Sequence, residues 1–253
     1  MSAGEGQREG YATYLAGPGS RAFGIPASAL AFGAHPDDIE FGAGATLARW
    51  AASGADIRLA IFTDGRRGTW DPEVDPLELA LARSREAEAS AEVIGATSPP
   101  TLLGETDGEL ATSTGLVMRV VALIRGVRPE AVITHDPWKR YRIHPDHRIA
   151  GEVVVDALSK ARDCTFWPEL GPAWRPAALL LFEAEEVDLL QPMDGFVAVK
   201  ARALAEHRSQ YRSSYGIASD VEPVAHLVAR LLAASPSQKG EAPSEGFKLV
   251  TDL

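Results

Sequence analysis

An apolar run, Ala29 to Phe32, ends in Gly33-Ala34-His35-Pro36-Asp37-Asp38-Ile39-Glu40 and leads into a helical pattern from Phe41 to Trp50. A histidine and two adjacent carboxylates therefore sit at a strand-to-helix corner. In an open parallel sheet such corners lie at the carboxyl edge of the strands, where ligands bind. A second segment of the same kind, His144-Pro145-Asp146-His147, follows about a hundred residues later. The two together read as one metal site.

The rest of the chain repeats the alternation. Strands are expected over residues 28–34, 56–63, 101–103, 131–134, 177–182 and 187–190, the second with the near-continuous apolar end of a buried parallel strand. Helices are expected over 40–53, 114–127, 147–161 and 221–232. Another is opened by Asp75-Pro76 and closed by Gly95, with proline early in the helix and glycine as its C-terminal cap. Asp194 is expected to cap one more, with Phe196, Val199, Ala203, Leu204 and His207 on its inner face. Strands alternating with helices predict an α/β fold, a Rossmann-like, doubly wound, mostly parallel sheet with helices on both faces. One domain is expected over 1–253, with a mobile arm over 1–25 and a C-terminal segment over 235–253 behind a polar linker.

A chain of 253 residues with 45% hydrophobic content can bury a full core. Its net charge of −10 argues against nucleic acid or an anionic membrane as partner. No apolar stretch reaches the roughly 18 residues of a membrane helix, and the N-terminus lacks a signal-peptide pattern. With Cys164 as the lone cysteine, a reducing, cytoplasmic setting is expected. Ser90, Ser98 and Cys164 lack the context of a nucleophile, and Gly42-Ala43-Gly44 lacks the third glycine of a dinucleotide fingerprint.

A catalytic zinc site needs three protein ligands and an open position. His35 and Asp38 are three apart on a turn, and His147 arrives from a second strand-to-helix junction, so these three are the expected ligands. Asp37, beside Asp38, is left free to take a proton from water whose pKa the ion lowers toward about 7. Asp146 is expected to hydrogen-bond His144 and favour its charged form, placing a cation where an oxyanion develops. Arg66, Arg67, Arg83, Arg140 and Arg142 gather near the predicted mouth. Of these, Arg83 stands out because Glu86 on the same helix face would hold its guanidinium for reading substrate oxygens. Trp138 and Tyr141 offer an apolar face to a sugar ring. Imidazole and carboxylate also suit Fe(II), Mn(II) or Co(II).

Ala34 to Glu40 taken with His144 to His147 resembles the LmbE-like (PIG-L) zinc-dependent deacetylases, which remove acetyl from N-acetylglucosamine groups on larger conjugates. The likeness extends to Thr63 through Gly68, Arg83-Ser84-Arg85-Glu86, Asp107-Gly108, Arg128-Pro129, the segment from Lys200 to Gln210, and Glu245-Gly246-Phe247. It implies His35, Asp38 and His147 as zinc ligands and Asp37 as general base and then acid. It also implies His144 as the electrophile, oriented by Asp146, and Arg83 on the substrate side. Some members carry a tyrosine just before the second motif; here Arg142 and Ile143 fill that place and Tyr141 stands one step earlier. The implied partner is a small N-acyl amino sugar conjugate, and a homo-oligomer is expected. Two other readings remain open: an amidase for a larger acyl group on a sugar or thiol-sugar conjugate, and a sugar-binding protein that keeps a metal only for shape.

Overall fold

The central strand β1 (Ser28–Gly33) sends alternate side chains to opposite faces. Ala29 and Ala31 enter one buried cluster, Leu30 and Phe32 the other. Both faces are covered, so the strand reads as a continuous apolar run. The computed structural model describes residues 23–218, 220–237 and 241–253. Most of the expected N-terminal arm, residues 1–22, lies outside the described residues, as do residues 238–240 of the expected linker.

In chain order the elements are β1, α1 (Asp38–Ala52), β2 (Asp56–Thr63), α2 (Pro76–Ile94), β3 (Thr101–Glu105), α3 (Thr114–Val127), β4 (Ala131–His135) and α4 (Pro145–Ala161). Then follow β5 (Ala178–Phe182), β6 (Leu189–Pro192), α5 (Val197–Glu206), α6 (Pro223–Ala233) and β7 (Ser244–Val250). The sheet order is β3-β2-β1-β4-β5-β7-β6. Strands β1 to β5 are parallel, and β7 runs antiparallel between β5 and β6. The chain proceeds outward from β1 to β3, then returns to place β4 on the other side of β1. That reversal opens a crevice at the carboxyl ends of β1 and β4.

Most expected elements appear within a residue or two. Helix α2 has the predicted ends: the Asp75 side chain accepts from the Leu77 and Glu78 N–H groups, and Gly95 takes φ 86°. Three expectations need correction. Strand β6 begins two residues later than expected. Helix α5 is preceded by Phe196 with no side-chain cap, so Asp194 does not cap it. The C-terminal segment is the interior strand β7, whose alternating burial was hidden by glycine and charged residues in Ser-Glu-Gly-Phe-Lys. Among the described residues no helix is long and apolar enough to cross a membrane.

Candidate metal centre

Each parallel strand delivers a polar side chain to the same edge. Beyond β1 come His35, Asp37 and Asp38; beyond β2, Arg67; beyond β3, Asp107; beyond β5, Glu183. Strand β4 ends on His135, and the loop after it leads to His144 and His147 at the start of α4. Gly151 allows α4 to sit close. A Cβ there would lie 2.6 Å from the His135 carbonyl oxygen, so any side chain would push the His147 turn away from β4.

Donor atoms of three residues converge. His35 Nδ1 lies 3.2 Å from Asp38 Oδ2. His147 Nε2 lies 3.2 Å from His35 Nδ1 and 3.3 Å from Asp38 Oδ1. A tetrahedral ion with metal–nitrogen and metal–oxygen bonds of about 2.0–2.2 Å separates its donors by roughly 3.3–3.5 Å. The three separations are close to that spacing, with Asp38 presenting one oxygen to each imidazole, and two imidazoles and a carboxylate are a donor set suited to zinc. Burial opposes ionisation of Asp38, yet the His147, His135 and His35 rings together hold its carboxyl well below the usual range.

The remaining ring nitrogens are also held. His35 Nε2 lies 3.2 Å from Asp146 Oδ2 and 3.2 Å from Asp107 Oδ1. Asp146 in turn accepts from the Gly108 N–H at 2.7 Å, and Asp107 from the Arg67 N–H at 3.0 Å. His147 Nδ1 faces Glu183 Oε2 at 3.4 Å and touches the Arg142 guanidinium. Such outer partners orient a metal-ligating imidazole. His135 Nε2 comes within 3.2 Å of Asp38 Oδ2 but already accepts the Ala34 N–H at 3.3 Å, while its Nδ1 meets Glu183.

Asp37 sits beside this triangle on a strained backbone, φ 107°, a conformation a non-glycine residue adopts only when its surroundings impose it. Arg83 NH2 reaches Asp37 Oδ1 at 3.3 Å, and the Tyr215 hydroxyl donates to Oδ2 at 3.2 Å. Burial pushes the Asp37 carboxyl above the ordinary range against the pull of Arg83 and His207. Below it, buried His207 Nε2 stands 3.4 Å from Glu40 Oε1, an ion-pair separation, and Ser90 donates to the same oxygen at 2.6 Å.

These contacts bring together His35, Asp37, Asp38, His144 and His147 as expected, and revise the surrounding roles. Asp146 bonds His35, not His144. Burial and the neighbouring His35 and His147 rings push His144 below its ordinary value, so its neutral form is favoured. Arg83 is 3% exposed and is held by the Gly65 and Pro36 carbonyls. Glu86 does not tether it, accepting instead from Ser209 N and Oγ. A cavity of about 520 Å³ opens over the centre and is lined in part by Arg67, Arg83, Gln210 and Ser214. Arg142 and Tyr141 are not in its walls: Arg142 pairs with Glu183 at 2.5 Å, and Tyr141 is 88% exposed. Trp138 is likewise a solvent-facing residue, 64% exposed.

Asp107 and His207 belong to the sequence likeness without a role attached, and His135, Glu183 and Tyr215 are not singled out there; all five are members of this network. His135 and Glu183 carried a usable signal, since both follow apolar strands as His35 does. Tyr215 carried none, because it arrives on an irregular turn, Tyr211–Tyr215, far along the chain.

The family model described as GlcNAc-PI de-N-acetylase, PIG-L, matches residues 30–158. The chain is 35% identical over 182 residues to a diacetylchitobiose deacetylase of Thermococcus kodakarensis, covering 70% of this chain and 67% of that one. It is 30% identical over 242 residues to the 1D-myo-inositol 2-acetamido-2-deoxy-alpha-D-glucopyranoside deacetylase of Rhodococcus erythropolis, covering 83% and 81%. In structure it resembles the N,N'-diacetylchitobiose deacetylase of Pyrococcus horikoshii, with TM-score 0.78, 24% identity and 89% and 84% of the two chains covered. The 4-carboxy-2-hydroxymuconate hydratase of Pseudomonas putida shares the fold as well, with TM-score 0.71, 21% identity and 88% and 95% coverage. The matched span holds both His-Pro-Asp segments and the strands that carry them, and on that ground this chain belongs to the PIG-L (LmbE-like) family of deacetylases.

Proposed function

We propose that the protein is a zinc-dependent hydrolase that removes acetyl from an N-acetylglucosamine-type sugar conjugate. His35, Asp38 and His147 would hold the ion, which when bound supplies Lewis acidity toward water and the amide carbonyl. The observation that carries the reading is Asp37: a buried carboxylate next to the donor triangle, fixed by Arg83 and Tyr215 and kept on a strained backbone.

Asp37 takes a proton from the attacking water and later gives it to the departing amine. Burial pushes its carboxyl above the ordinary range, which strengthens it as a base toward the attacking water. Arg83 and Tyr215 keep the carboxylate facing the centre. His144, with its ring centroid 4.6 Å from that of His35 and 4.9 Å from that of His147, stands where it can hydrogen-bond the carbonyl oxygen as negative charge develops. Arg67, Gln210 and Ser214 provide polar groups for sugar hydroxyls.

A protein that held metal for shape alone would have no use for the strained, doubly held Asp37. The relatives' named substrates, diacetylchitobiose and an acetamido-glucosyl inositol, supply the test set. The zinc-loaded protein is expected to release acetate from at least one of them, and Asp37→Ala to abolish release while retaining metal. An Asp37→Ala protein that turns over at the parent rate contradicts the proposal.

A further inference from the structure

Beside the cavity over the metal centre lies a second one of about 240 Å³. The two share Phe41 and Glu183 as walls. Glu183 is also the residue that faces His147 Nδ1 at 3.4 Å. The second chamber therefore begins one side chain away from a proposed metal ligand. Its apolar walls include Met193 just past β6, Leu227 and Leu231 of α6, and Ala234 and Pro236 after that helix.

Its polar groups are already engaged with one another. Lys200 Nζ donates to Glu245 Oε1 at 2.6 Å and to the Phe41 carbonyl at 2.6 Å. The Glu245 carboxylate also accepts from the Ala45 and Thr46 N–H groups at 3.0 and 2.8 Å. Ser235 Oγ accepts the Ser244 N–H at 2.9 Å, Ser244 Oγ is bonded to Ser237 Oγ at 2.8 Å, and Arg230 donates to the Tyr215 carbonyl. A sugar entering the chamber would leave its hydroxyls without partners, which costs free energy, whereas a hydrocarbon group needs none. The catalytic cavity differs in having mostly charged and polar walls, His35, Asp37, Arg67, Arg83, Asp107 and His144 among them, which suits the sugar.

We propose that this chamber receives the hydrocarbon tail of an N-acyl group longer than acetyl, so that the enzyme hydrolyses medium-chain N-acyl amino sugars. The inference rests on the deacylase reading above and extends it to the acyl side. With the acyl carbon at the metal centre, the chain attached to it is within reach of the wall of Phe41 and Glu183 that the two cavities share. The chemistry is unchanged. Water adds its oxygen to the acyl carbon, the C–N bond breaks, a proton goes to the leaving amine, and the fatty acid departs in place of acetate.

The test compares chitobiose acylated with acetyl and with hexanoyl groups, using the zinc-loaded full chain and following amine release. The parent is expected to cleave the hexanoyl substrate with a kcat/KM at least equal to that for acetyl. Ala234→Phe, at the exposed end of α6, and Leu231→Trp are expected to fill the chamber. Each should lower kcat/KM for hexanoyl by roughly tenfold or more and leave acetyl turnover unchanged. A parent that cleaves acetyl but not hexanoyl overturns the inference and leaves the deacetylase reading intact. Equal effects of Ala234→Phe on both substrates, or no effect on either, also overturn it. A parent that cleaves neither removes the deacylase reading and this inference with it.

Discussion

Asp146 Oδ2 lies 3.2 Å from His35 Nε2, on the side of the ring away from the donor triangle. With Nδ1 turned toward Asp38 and His147, Nε2 is the atom left to carry the proton and donate it. Asp107 meets the same nitrogen at 3.2 Å, so two carboxylates fix the ring. Each is anchored in turn by a backbone N–H, Asp146 by that of Gly108 and Asp107 by that of Arg67. The second His-Pro-Asp motif thus serves the first: its aspartate sets the orientation of the histidine at position 35.

Asp146→Asn is therefore expected to weaken zinc binding by roughly 10–100-fold. Competition with a chromogenic chelator reads this directly. Unchanged affinity in both Asp146→Asn and Asp107→Asn would show that the outer carboxylates do not set the His35 ring.

Asp37 and its supports should separate chemistry from metal binding. Asp37→Asn is expected to lower kcat by about 10²–10⁴, with one ion per chain retained. Tyr215→Phe removes a hydrogen bond to Asp37 Oδ2 without opening a large cavity. It is expected to lower kcat by about tenfold with little change in KM, the size expected from losing about 1.4 kcal/mol. A Tyr215→Phe effect confined to KM would assign the hydroxyl to substrate instead.

Glu40 and His207 form a buried pair beneath the site. Burial opposes charge on both, but Glu40 holds the His207 pKa above its ordinary value, and His207 and Ser90 hold Glu40 below its own. A raised histidine contributes stability that is fully present below about pH 6.5 and is lost as pH rises through its folded value. A lowered glutamate contributes stability that is lost as pH falls through its folded value. His207→Gln is expected to cost about 3–5 kcal/mol near pH 6, as for a broken buried pair. The gap to the parent should narrow above the raised His207 value. Urea unfolding at several pH values measures it, and a gap independent of pH would mean the pair is not ionised.

Lys200 and Glu245 are 3% and 4% exposed, and their link ties β7 and α5 to the middle of α1. Replacing one member leaves a buried charge alone, so Lys200→Met is expected to cost about 3–5 kcal/mol. Glu245→Gln should cost less, since an amide oxygen still accepts from the Ala45 or Thr46 N–H. Equal losses in the two variants would argue against an ion pair here.

The sheet and the central motifs were legible because their signals are local. The apolar runs at β1, β2, β4 and β5, each followed by a polar corner, mark parallel strands and point to their carboxyl edge. His35, Asp37, Asp38 and His147 could be grouped from that edge alone. What could not be read depends on distant packing. Glu86 is three residues from Arg83 on one helix, yet the loop carrying Ser209 comes closer and takes it. Asp146 is two residues from His144, but Gly108 and His35 face its carboxylate. Strand β7 escaped notice because Glu245 is buried as an ion pair, against the usual expectation that glutamate marks a solvent face.

The most direct test is metal content and acetate release measured on the same purified samples of the parent, His35→Ala and His147→Ala, by elemental mass spectrometry and an acetate assay on diacetylchitobiose and the acetamido-glucosyl inositol. The account predicts one divalent ion per chain in the parent, loss of that ion in both variants, and acetate release that tracks the ion. A parent that takes up no metal, or variants that release acetate at the parent rate without it, would contradict the account.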